Sequence, residues 1–116
     1  MSSMASERNL QPALDAIRVK FLASLETRLA ELDALTTMIK SGDKGSRVWE
    51  EVRLRVHRIA GVAGSLGFPA LGARSARLDT AIEQYIAEPS SADEATILAA
   101  LDDLLDDIDA ILEDGN

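Results

Sequence analysis

The chain has 116 residues, with 12 Lys+Arg against 20 Asp+Glu for a formal charge of −8. Hydrophobic residues make up 47% and aromatics 3%, which excludes a disordered acidic tail and leaves Leu, Ile, Val and Ala to pack a single core. No cysteine and one histidine, His57, exclude thiolate zinc sites, iron–sulfur clusters, thiol nucleophiles and multi-histidine metal sites within one chain.

Hydrophobic spacing is helical throughout, and no run alternates as a half-buried strand does. Residues 1–12 read as a flexible segment and 13–113 as the folded domain. From Leu14, the positions Ile17, Phe21, Leu25, Leu29, Leu32, Leu35 and Ile39 step by three or four along one helical stripe. Pro12 is tolerated near its start, where first-turn N–H groups are unpaired anyway. The cluster 41–46 (SGDKGS) breaks this run, and Ser46 is a candidate N-cap for a second helix. Trp49, Val52, Val56, Ile59, Ala63 and Leu66 form its stripe, and Gly67 is its expected helix cap, because glycine enters the left-handed region easily. Pro69 opens a third helix with Leu71, Leu78, Ile82 and Tyr85 inward. Residues 88–91 (EPSS) stop it, and Ser91 with Glu94 has capping-box spacing ahead of a fourth. There Ile97, Leu101, Leu104, Ile108 and Leu112 share a face that leaves the Asp-rich positions outside. Four one-striped helices with short connections predict an all-α, up-and-down antiparallel four-helix bundle with an N-terminal helical extension.

The charge is uneven. Residues 44–77 hold seven basic and two acidic groups, whereas residues 78–116 hold twelve acidic groups and no basic one. The positive segment contains His57. On a wheel of about 100° per residue, His57 lies about 130° from the centre of the second helix's apolar stripe, on its outer flank. Gly61 and Gly64 follow on the same side, and Leu54 sits exposed beside it as a candidate docking contact. Glycine inside a helix costs roughly 1 kcal/mol relative to alanine, so two of them beside a histidine call for a reason. Close approach of another surface is one; a helix contact that needs small residues is the alternative.

An exposed imidazole is largely neutral at pH 7 and keeps a free lone pair on one nitrogen, which can attack phosphorus. Ser65 is two turns away, which argues against a Ser–His dyad. Arg53 projects to the side of His57, and Arg55 and Arg58 flank it. Such a cationic surround suits a phosphoryl group or an acidic partner, against the alternative of a solvated basic face. The short basic stretch and the acidic last helix disfavour nucleic acid. No apolar stretch has the length of a signal peptide or membrane span, so a soluble, cytoplasmic chain without membrane association is expected.

The segment 57–68 (HRIAGVAGSLGF) resembles the signature of histidine-containing phosphotransfer (HPt) domains: a phosphoacceptor histidine, a glycine four later, a second glycine ten later, then an apolar residue. His57, Gly61, Gly67 and Phe68 match, and the likeness of layout spans residues 17–112. It implies a phosphorelay intermediate with His57 as phosphoacceptor, working with response-regulator receiver domains and a hybrid sensor histidine kinase, while a capped, acidic-surfaced bundle is most simply a monomer. Neither cofactor nor metal is expected on this chain, since Mg²⁺ would come with the receiver, and it would be a phosphocarrier rather than an enzyme. Many members carry a lysine three residues after the histidine; here Ala60 stands there. Arg53 or Arg58 could support the phosphoryl group instead, and Asp79 occupies a position suited to orienting the ring. Ala60 also keeps open a degenerate or adaptor module that binds a receiver without accepting phosphate.

Overall fold

The computed structural model describes residues 2–43 and 45–115, with side chains described over 10–43 and 45–114. All regular structure among them is helical: α1 Ser2–Lys40, α2 Ser46–Ala63, α3 Pro69–Ala87 and α4 Glu94–Gly115. Single 3₁₀ turns, Gly64–Leu66 and Pro89–Ser91, follow α2 and α3. Side-chain bridges fix the directions. Arg18 meets Leu66 and Arg55 meets Glu31, so α1 and α2 run antiparallel. Arg53–Asp79 with Gly72 beside Gly64, Tyr85–Glu94 with Arg74–Asp107, and Lys40–Asp102 with Val19 and Leu112 lining one hollow do the same for α2/α3, α3/α4 and α1/α4. This is the up-and-down four-helix bundle that the four apolar stripes predict.

Each stripe supplies one wall of the core. Leu25, Leu32 and Ile39 of α1 are 0–1% exposed, as are Trp49, Val52 and Val56 of α2. Ile82 of α3 and Leu101, Leu104 and Ile108 of α4 are fully buried against them. Aliphatic side chains close most of this interior, with Trp49 edge-on to Tyr85 at one end and Phe21 stacked on Phe68 at the other. No helix is long and apolar enough to cross a membrane among the described residues.

Several local expectations are corrected. Helix α1 begins at Ser2, so residues 2–12 are helical and extend the same rod at its N-terminal end. Pro12 therefore lies inside the helix, where its missing N–H removes one rung. Leu14 and Ile17, placed inward by the stripe, are 50% and 48% exposed. The reason is length. A 39-residue helix spans about 58 Å, matching the 59 Å long axis of the molecule, and its first half runs past the end of the shorter helices. Gly45, not Ser46, is the N-cap of α2, and no side chain caps it. Asp93, not Ser91, caps α4: its Oδ1 accepts the N–H of Ala95 at 3.2 Å. Ser91 instead donates to the carbonyl of Gln84, and Glu94 accepts from the Tyr85 hydroxyl.

Candidate functional site

Helices α2 and α3 pack closely because α3 presents small residues to α2. Gly72 and Ser75 are buried, and a Cβ added at Gly72 would lie 3.2 Å from the backbone nitrogen of Gly64. Asp79, two turns after Gly72, faces the same way along α3. The close packing brings its Oδ2 within 2.7 Å of His57 Nδ1. The histidine side chain is 64% exposed and the aspartate 15%. A carboxylate can only accept, so Nδ1 carries the proton. Nε2 then holds the lone pair of the neutral ring, with no hydrogen-bond partner among the described residues. A fixed tautomer on an exposed ring is a nucleophile aimed outward.

Asp79 has a second partner. Its Oδ1 accepts from Arg53 Nη1 at 3.3 Å, and Arg53 is also held by Glu50 at 2.5 Å, one turn earlier on α2. The order Glu50–Arg53–Asp79 thus alternates in charge across two helices and ends on the His57 ring. Glu50's hydrogen bonds push the Arg53 pKa above its ordinary value, and burial only partly opposes them. The Arg53 guanidinium in turn holds the Glu50 carboxyl below the usual carboxylate range. Arg53 is therefore bound to two carboxylates of its own chain and positions Asp79.

The floor beside the ring is open. A Cβ at Gly61 or Gly64 would meet nothing within 4 Å, so no packing inside the bundle requires glycine at either position. The helix contact that does require a small residue is at Gly72. Gly67 has φ 95°, in the left-handed region, and closes the 3₁₀ turn with its N–H on the Gly64 carbonyl. Arg18 of α1 finishes that end by donating to the Leu66 carbonyl at 3.0 Å while lying over the Phe68 ring.

The other sequence candidates lie further from the ring. Arg58 lines a hollow between α1 and α2 with Phe21, Ser24 and Arg28, away from the α3 side that holds Asp79. Leu54 is half-buried, where exposure was expected. The net positive charge of residues 44–77 does not gather at His57. Arg55 pairs with Glu31 and Glu51, Arg74 pairs with Asp107, and Arg77 lies between α3 and α4. Sequence reasoning missed Glu50 as Arg53's clamp, Gly72 and Ser75 as the means of close packing, and Arg18 as the lid on the α2 end. The spacing of Glu50 before Arg53 was a legible signal. No group of three His, Asp or Glu side chains is placed to hold a metal among the described residues.

In comparison with known proteins, the family model described as Hpt domain matches residues 16–111, reaching all four helices but omitting the N-terminal part of α1 and the last residues of α4. No curated protein and no solved structure matches the chain.

Proposed function

The chain belongs to the Hpt domain family, modules of histidine phosphotransfer that work with receiver domains and histidine kinases, and on that premise we propose that His57 carries a phosphoryl group between receiver aspartates in a multistep phosphorelay. The observation that carries the reading is the division of labour on one imidazole. Nδ1–H is held by Asp79 while Nε2 faces an open, glycine-floored surface.

Nε2 attacks the phosphorus of an aspartyl phosphate on a docked receiver. The N–P bond forms as the P–O bond breaks, and the aspartate leaves as a carboxylate. The phosphorylated ring keeps its Nδ1 proton and becomes cationic, and Asp79 opposes that charge. Transfer to a second receiver runs the step in reverse. Gly61 and Gly64 let the receiver surface approach, Leu54 supplies an apolar contact beside them, and Gly67 ends the helix that carries them. Arg53 acts through Asp79, and Arg58 approaches the phosphoryl group only if its side chain swings around the helix. Mg²⁺ comes with the receiver, the chain works as a cytoplasmic monomer, and a hybrid sensor kinase feeds the relay.

The test is incubation with a phosphorylated receiver and Mg²⁺, followed by analysis of the label. Acid-labile, base-stable label is expected on the wild type and none on His57→Gln. Label that persists in that variant removes His57 as acceptor. A second reading, an adaptor that binds receivers without accepting phosphate, is favoured by Ala60 at the position of the family's lysine. Receiver binding with no label from any receiver of the source organism would establish it.

A further inference from the structure

We propose that the α1/α4 groove, on the side of the bundle opposite the α2/α3 face that carries His57, is a docking site for a basic amphipathic helix of a partner protein. Two adjoining hollows of ≈ 450 Å³ and ≈ 460 Å³ share Glu26, Leu29 and Asp109 and form one channel along the helix pair. Its floor is aliphatic: Val19, Leu22, Leu29 and Leu112 in one hollow, Leu29 and Leu105 in the other. Val19 is 66% exposed, the highest value among the large hydrophobic side chains of the described residues. An apolar floor open to water marks an interaction surface.

The rim specifies the partner. Glu26, Asp33, Asp106, Asp109 and Glu113 line the two hollows, and no Lys or Arg does. None of the five forms an ion pair among the described residues. Elsewhere on α4, Asp102 binds Lys40 of α1, two turns beyond Asp33, and Asp107 binds Arg74 of α3. Helix α4 also ends with no basic residue in its last turn, while Glu113 and Asp114 stand at its negative dipole end. Among the described residues, repulsion along the groove and at the helix terminus is therefore uncompensated. A cationic ligand relieves both.

From Val19 to Asp33 the groove is about 21 Å long, or about four turns of helix. A third helix laid between two antiparallel ones continues the ridges-into-grooves packing of the bundle. The occupant that fits has aliphatic residues along one face and Lys or Arg flanking them. Its site is separate from His57 and does not depend on the phosphoryl state.

The experiment uses the full chain and a fluorescein-labelled synthetic Leu/Lys peptide of about 18 residues, with its leucines at helical spacing. Saturable binding by anisotropy is expected. The same composition scrambled to abolish the apolar face should bind at least about tenfold more weakly, as should a Leu/Glu counterpart. Glu26→Lys with Asp109→Lys, both exposed positions, should weaken the Leu/Lys peptide at least about tenfold. Val19→Ser should weaken it about threefold. Glu83→Lys with Glu88→Lys, which makes the same charge change outside the groove, should stay within about twofold. The proposal is overturned by equal binding of the scrambled or Leu/Glu peptide, or by an equal effect of the remote pair. A dimer in sedimentation that the groove variants dissolve would also overturn it, by making a second copy the occupant.

Discussion

Asp79→Ala tests the contacts around His57 most directly. A ring without its Nδ1 partner can occupy about six orientations, from three χ1 wells and a two-fold χ2, so holding one of them is worth about sixfold. The proton is then free to sit on either nitrogen, which removes the attacking lone pair from about half of the molecules. The carboxylate also stabilises the positive charge that grows on the ring as the N–P bond forms. Hydrogen bonds to charged groups contribute about 1.5–3 kcal/mol in general. With the ring 64% exposed, solvent reduces that to about a further fivefold. Together these give a loss of about 60-fold in the single-turnover rate of transfer from a phosphorylated receiver, measured by rapid quench under saturating receiver. Asp79→Asn keeps an acceptor oxygen but not the charge, and should lose only about five- to tenfold. Far-UV circular dichroism should be unchanged, since Arg53 keeps Glu50. A transfer rate for Asp79→Ala within about threefold of wild type would refute the positioning role.

Three further outcomes follow from the same geometry. Gly64→Leu places a side chain into open space on a right-handed backbone, so the thermal midpoint should hold or rise slightly while receiver transfer is blocked; a loss of helicity would show that Gly64 serves packing. Gly67→Ala forces a Cβ into the left-handed region at φ 95° and against the Arg18 guanidinium, and should cost about 1–2 kcal/mol, seen as a midpoint lowered by several degrees. The carboxyls of Glu31 and Glu50 are held below their ordinary value by hydrogen bonds from arginines, so their contribution to stability is complete above about pH 4.5 and is lost as pH falls through their lower folded values. Urea titrations from pH 6 to 3 should show this loss, and Glu50→Gln should flatten the acid limb; an unchanged limb would mean that the Glu50–Arg53 pair carries no net stability.

Periodicity made the bundle legible because each helix buries a single stripe, and the steps through Val52, Val56 and Ile59 or Leu101, Leu104 and Ile108 have no other economical use. The same rule failed at Leu14 and Ile17, because a stripe records which side is apolar and not how far the neighbouring helices extend. Capping was legible in type and wrong in position. Asp93 and Ser91 both offer an oxygen ahead of the last helix, and only the backbone path after Pro89 decides between them. At the site, His57 and the open glycines could be read from spacing, whereas Asp79 could be reached only through the likeness to the HPt layout. The pairing of Arg53 with Glu50 and Asp79 could not be ranked against phosphate binding, because a sum of charges over a segment has no direction. Seven basic groups between 44 and 77 look like a cationic site until the chain folds and distributes several of them among carboxylates of α1, α2, α3 and α4.

That distribution bears on the energy of the phosphorylated state. With Arg53 held by Glu50 and Asp79, Ala60 carrying no charge and Arg58 turned towards α1, the described residues bring no uncommitted cation to Nε2. A phosphoryl group seated there would rely on water and on whatever cations the docked receiver brings, and would lose the latter when the receiver departs. Its group-transfer potential would then stay high between encounters. The equilibrium of each encounter would be set mainly by the partner, so that transfers to different receivers should differ more in their equilibrium constants than in their rates.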